Sequence, residues 1–191
     1  MASNQVNHPK HYNQHPAGIE CISIIRNYTC DIANALKYLW RAGLKPEMGK
    51  DDVVKEVEDL KKALWYIEDY QNSPRHHIAE CKPELMDSYI KDVTAFSITD
   101  IVQGYADSVS MAMMQLLQIG LIVNGATYAV YGWAEMLNDT KALIRHRIES
   151  IYANIRQYLQ LVGRAEFNKH FGTIEVIDEL KESLKHDEEE E

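Results

Sequence analysis

Apolar residues return every three or four positions through most of the chain, the spacing of helices with one buried face. Ile19, Ile22 and Ile24/Ile25 predict a helix from Gly18–Ile19 to about Tyr28. Asp31 can cap a second, with Ile32, Ala35, Leu36 and Leu39 on one face and a stop near Gly43. Residues 44–50 read as a loop. Asp51 and Asp52 then open a third helix, favoured there by the helix dipole, whose apolar positions Val54, Val57, Leu60, Leu64 and Ile67 persist until Asn72-Ser73-Pro74. Further helices are predicted at about 84–95, 98–122, 126–162 and 173–186. In the 126–162 helix, Ile144, Ile148, Ile151, Ile155, Tyr158 and Val162 step by 4, 3, 4, 3 and 4, a seven-residue seam of the kind that packs along a partner helix. No β-type alternation of useful length stands out. The expected fold is all-α, a helical bundle with an irregular N-terminal arm over residues 1–17, and the seam points to a homo-oligomer joined through the 144–162 helix.

The organisation follows from these elements. Residues 1–73 form the arm and three helices, 74–83 a linker, 84–186 a helical bundle and oligomerisation region, and 187–191 a disordered acidic tail. Composition agrees with a folded chain, at 46% hydrophobic and 26% charged residues. Net charge is −9, yet residues 1–75 carry 10 Lys/Arg against 10 Asp/Glu, while the remainder carries 10 against 19. No basic stripe for duplex DNA is present, whereas a small phosphate ligand needs only a few local cations. Ser108–Ala134 holds no charged residue over 27 positions, long enough to span a membrane. Gln115, Gln118, Asn124 and Gly125 lie inside it without a flanking Lys/Arg cluster, so two buried helices about a Gly-containing turn are expected instead, and no membrane partner. Met111, Met113 and Met114 fit core or subunit-interface filling. Three cysteines without metal or disulfide spacing, and an N-terminus without an apolar signal core, point to the cytoplasm.

Three local features can carry chemistry. The arm places His8, Lys10, His11 and Tyr12 within five residues, a set of hydrogen-bond donors suited to phosphate oxygens, or simply a solvated arm. The second helix puts Asn34, Lys37/Tyr38 and Arg41 on one face; Arg41 offers a planar fork and Lys37 a point charge, or the stripe faces solvent. On the third helix, Glu56 and Asp59 are one turn apart and can converge on one Mg²⁺, while Asp59 with Lys62 can equally be an ordinary helical ion pair. Gly43–Lys50 is not a P-loop: one residue too many separates the glycines, Asp51 follows the lysine, and no strand precedes. No serine or cysteine nucleophile motif appears.

The ordered motifs H-P-K-H-Y (8–12), G-I-E-C-I (18–22), N-A-L-K-Y-L-W-R-A-G-L-K (34–45) and D-L-K-K-A-L-W-Y-I (59–67) resemble a small phage family of nucleotide kinase-like proteins that lack a Walker motif. The resemblance covers about residues 6–70. It implies a nucleotide site built from His8, Lys10, His11, Tyr12, Glu20, Asn34, Lys37, Tyr38, Arg41 and Lys45, completed by Asp59, Lys62 and Tyr66. It further implies Mg²⁺-dependent phosphoryl transfer from a nucleoside triphosphate to a (deoxy)nucleoside monophosphate in an infected bacterial cytoplasm. Lys37, Arg41 and Lys45 would neutralise charge on the transferred group, with Asp59, Glu20 and Glu56 as metal ligands. Two alternatives stay open. Glu56-x-x-Asp59 is also similar to half of the metal site of MazG-type nucleotide pyrophosphatases, although Gly104 stands where a second pair would need an acid. A site rich in phosphate donors but poor in a base or nucleophile also suits a nucleotide sponge that sequesters a defence signal.

Overall fold

The computed structural model describes residue 12 and residues 14–44, 52–72 and 77–171. Among these, helices α1 (Cys21–Ile25), α2 (Cys30–Arg41) and α3 (Asp52–Asn72) lead into strand β1 (Ile78–Cys81). Helices α4 (Pro83–Thr94), α5 (Ile98–Ile101) and α6 (Asp107–Leu116) follow, then strands β2 (Ile119–Val123) and β3 (Ala126–Val130). The long helix α7 (Trp133–Val162) and α8 (Arg164–Phe171) complete the described chain. The first three helices fall close to where hydrophobic spacing puts them, α1 being shorter than expected. The predicted 173–186 helix and the 187–191 tail lie outside the described residues.

The all-α expectation is overturned. The molecule is mostly helical but carries a three-stranded mixed sheet in the order β1-β3-β2, with β1 parallel and β2 antiparallel to β3. The predicted 98–122 helix is divided into α5, α6 and β2, and the predicted 126–162 helix gives up its first turns to β3. The cause is the pair Asn124-Gly125, with φ of 49° and 79°. Left-handed backbone at both central positions is the two-residue hairpin turn that matches strand twist. The supposed linker is also structural: Ile78–Cys81 pairs residue by residue with Thr127–Val130. Parallel pairing joins segments some fifty residues apart, so no local pattern announces it.

Gly120 fastens this sheet to the first helices. It sits in an irregularity of the β2–β3 register with φ +71°, and its carbonyl accepts the Thr29 amide at 2.9 Å. A Cβ there would lie 2.6 Å from Thr29 Oγ1 and 2.9 Å from Ile32 Cγ1, so only glycine permits the approach. The Ile122 amide donates to the Asn27 carbonyl at 2.8 Å, which closes the outer edge of β2 with residues 27–29.

One continuous core runs from Ile19 to Phe167. The apolar face of α2 (Ile32, Ala35, Leu36 and Leu39) is fully buried, and α2 packs along α3 while α7 packs along both α6 and α3. Truncating one such leucine to alanine would cost about 2–5 kcal/mol. Ile144, Ile148, Ile151 and Ile155 of the heptad seam are buried in this same core. The seven-residue period therefore answers helices of the same chain and does not by itself call for a second copy. No helix among the described residues is long and apolar enough to cross a membrane.

Candidate functional site

The last turn of α2 and the middle of α3 are joined through a buried charge cluster. Arg41, 8% exposed, meets Asp59, which is completely buried. Arg41 Nε donates to Asp59 Oδ2 at 3.0 Å and Nη2 to Oδ1 at 2.8 Å, the two-pronged geometry of guanidinium and carboxylate. Lys55, 2% exposed, donates to the same Oδ1 at 3.3 Å and to Glu58 Oε2 at 3.0 Å. Arg41 Nη1 donates to the Tyr12 hydroxyl at 3.2 Å, bringing the end of the arm to α2. Burial works to lower the pKa of both cations, but the bonds of Arg41 to Asp59 and Tyr12, and of Lys55 to Glu58 and Asp59, hold both above their ordinary values.

Over this cluster lies an aromatic face edged with cations. The Arg41 guanidinium carbon is 4.4 Å from the Tyr38 ring centre, Lys37 Nζ is 4.8 Å away and Lys62 Nζ 5.8 Å. Tyr66 stacks on Tyr38 with centroids 5.7 Å apart, and Trp65, 58% exposed, meets Tyr66 edge-on at 4.9 Å. Each cation over a ring face is worth about 0.5–1 kcal/mol at an exposed site, and together they fix the rings and cations relative to one another. Lys37 donates to Asn34 Oδ1 at 2.6 Å. Lys62 reaches Glu58 only at 4.0 Å, and burial together with neighbouring Lys55 lowers its pKa.

Tyr12, Asn34, Lys37, Tyr38, Arg41, Asp59, Lys62 and Tyr66 are thus brought together. Two expectations change within the set. The Arg41 fork, read from the sequence as a phosphate binder, is occupied by Asp59. Asp59 and Glu56 do not converge on a shared ion: Asp59 gives both oxygens to Arg41 and Lys55, while Glu56 Oε1 accepts from Arg147 Nε at 2.8 Å and also pairs with its Nη2. Glu20 stands at the N-cap position of α1, on a separate element. Among the described residues no three His, Cys, Asp or Glu side chains are grouped as a metal ion would require. Of the acids that follow, Glu84 and Asp87 are exposed on α4, and Asp107 opens α6. His8, Lys10, His11 and Lys45 lie outside the described residues. Cys21, buried in the hydrophobic core, is no nucleophile: burial pushes its thiol up to about 12 against the pull of Lys37 and Arg41.

Sequence reasoning passed over Lys55 and Arg147. Lys55 stands four residues before Asp59, the helical ion-pair spacing, and that signal was available. Arg147 is distant in sequence and carries none.

Comparison with known proteins adds one finding. Residues 6–68 match the model of a family described only as a protein of unknown function, DUF3310. That span is about a third of the chain and contains all four motifs. No curated protein and no solved structure matches.

Proposed function

We propose that the protein binds a nucleotide by its phosphate at the rim of the Tyr38 face, and that its reaction is phosphoryl transfer from a nucleoside triphosphate to a (deoxy)nucleoside monophosphate. The observation that carries the binding reading is the set of three cations within 6 Å of one tyrosine ring, with a second ring stacked on it. Lys37 and Lys62 supply point charges for phosphate oxygens, and Tyr38, Tyr66 and exposed Trp65 present flat π surface. Arg41 is the positioning residue: clamped by Asp59, it holds Tyr38 from beneath. Transfer of a phosphoryl group asks a protein mainly for orientation and fixed positive charge, which this face provides. The carboxylates Glu20, Glu56 and Asp59 do not fit a protein-held Mg²⁺ as arranged, since Asp59 and Glu56 are committed to different cations.

One observation favours binding without turnover as a second reading. Asp59 is fully engaged and Cys21 is held protonated, so neither supplies a base or nucleophile. Incubation with a panel of nucleoside monophosphates, a triphosphate and Mg²⁺, read by product mass, separates the two. A nucleoside diphosphate product supports transfer; stoichiometric binding with every nucleotide recovered unchanged refutes transfer and leaves the sponge. Released pyrophosphate refutes both.

A further inference from the structure

At the C-terminus of α2 lies a cavity of about 200 Å³. Its walls come from two parts of the chain: Gln14, His15, residues 42–44 and Glu56 from the family-matched part, and Gln103–Ala106, Val109 and Arg147 from beyond it. We propose that this cavity receives the nucleobase of the ligand whose phosphate lies at the Tyr38 rim; the inference rests on that nucleotide reading and assigns a role to the region after residue 68.

Size is the first argument. Sites that enclose drug-sized ligands run to roughly 300–1,000 Å³, so 200 Å³ suits one ring system and excludes a whole nucleotide. Charge is the second. Glu56 and Arg147 neutralise each other across the wall, so the cavity has no net preference for an anion, unlike the lysine rim. The third is unspent hydrogen bonding. Both Arg147 contacts go to Glu56 Oε1, so that among the described residues Oε2 remains an acceptor and Nη1 a donor. The exposed amides of Gln14 and Gln103 also line the cavity and add a donor and an acceptor each. Donors and acceptors in alternation beside a flat wall are what the edge and face of a base require. Aromatic residues are present in the wall: His15 and Tyr105 line the cavity, and both are held from behind by buried Trp40, at 5.0 and 5.9 Å between ring centres. Continuity is the last argument. Arg41, beneath the phosphate rim, is followed directly by Ala42 of the cavity wall, and Tyr12, bonded to Arg41, lies two residues before Gln14.

The test compares a nucleoside monophosphate with ribose 5-phosphate, which has the phosphate and sugar but no base, by calorimetry on the full chain. Arg147→Gln removes the guanidinium, and Ala106→Phe obstructs the cavity without touching the ion pair. Each variant should weaken the nucleotide at least tenfold and change ribose 5-phosphate by less than twofold, while Lys37→Ala weakens both. If both cavity variants bind the nucleotide as wild type does, or lose the two ligands in parallel, the cavity does not hold the base. If wild type binds ribose 5-phosphate and the nucleotide equally well, no base site exists. A wild type that binds neither removes the nucleotide reading itself, and this inference with it.

Discussion

Asp59→Asn is the sharpest single perturbation the structure offers. The substitution keeps the size of the side chain and one oxygen acceptor but removes the charge that faces Arg41 and Lys55. Those two cations, 8% and 2% exposed, would remain where water cannot easily solvate them. Removing one partner from a buried ion pair costs about 3–5 kcal/mol, against about 0–1 kcal/mol for a surface pair. In a chain of this size 1 kcal/mol moves the melting temperature by about 2–4 °C, so the variant should melt about 6–20 °C lower. Glu58, which also accepts from Lys55, places the result toward the lower half. Thermal and urea unfolding followed by circular dichroism measure it. A companion variant, Arg41→Met/Lys55→Met/Asp59→Leu, replaces the whole cluster by apolar groups and should recover most of the loss, because no unpaired charge is left behind. An Asp59→Asn protein within about 1 kcal/mol of wild type would refute the argument, since the pair would then behave as though exposed.

Four further outcomes follow from the same geometry. Arg41→Lys should lower both stability and nucleotide affinity, because the fork on Asp59 is lost, whereas Lys37→Ala should lower affinity about tenfold with the melting curve unchanged; calorimetry and thermal unfolding on both variants check this. His15 is buried, its Nε2 bonds the Ile101 carbonyl at 2.9 Å and its Nδ1 accepts from the Ala17 amide; burial holds its pKa below the ordinary value despite the carbonyl. The unfolded chain therefore takes up this proton first, so stability should fall as pH drops below about 6.5, and His15→Gln should flatten that slope in urea titrations at several pH values. Gly120→Ala should cost more than Gly125→Ala: both need left-handed backbone, roughly 1–2 kcal/mol, but only at Gly120 would the new Cβ collide, at 2.6 Å from Thr29 Oγ1. Ile148→Asp/Ile151→Asp should unfold the single chain at any protein concentration, and a well-folded variant of unchanged melting temperature would contradict the burial of that seam.

Hydrophobic spacing made α2 and α3 legible because each carries a buried apolar stripe, α2 along α3 and α3 along both α2 and α7, and such a stripe writes its period directly into the sequence. The sheet was illegible for the opposite reason. Ile119, Gly120 and Leu121 are all buried, as are Ala129 and Val130, so β2 and β3 show apolar runs without alternation. Short apolar runs of that kind cannot be told from buried helix by period alone. The turn chemistry was the better witness: Asn124-Gly125 between two β-branched runs is a hairpin signal whose mechanism does not depend on burial. β1 had no comparable signal, because its partner lies some fifty residues away and its own four residues include Glu80.

The candidate site shows the same division between what a letter encodes and what a fold decides. A lysine or arginine in a polar helical stripe offers positive charge, and the sequence places Lys37 and Arg41 four residues apart on one face. Their fates differ because α3 lies against one and not the other. Asp59 sits opposite Arg41 and takes its fork, while among the described residues Lys37 bonds the neutral amide of Asn34 and no carboxylate. Burying an arginine is tolerable only with such an anion, so the Arg41–Asp59 pair makes α2 and α3 mutually dependent. The stripe is therefore half clamp and half the cationic edge of the Tyr38 face. The clamp carries Tyr38 on its upper side, which ties the geometry of the aromatic face to the stability of the helix pair beneath it.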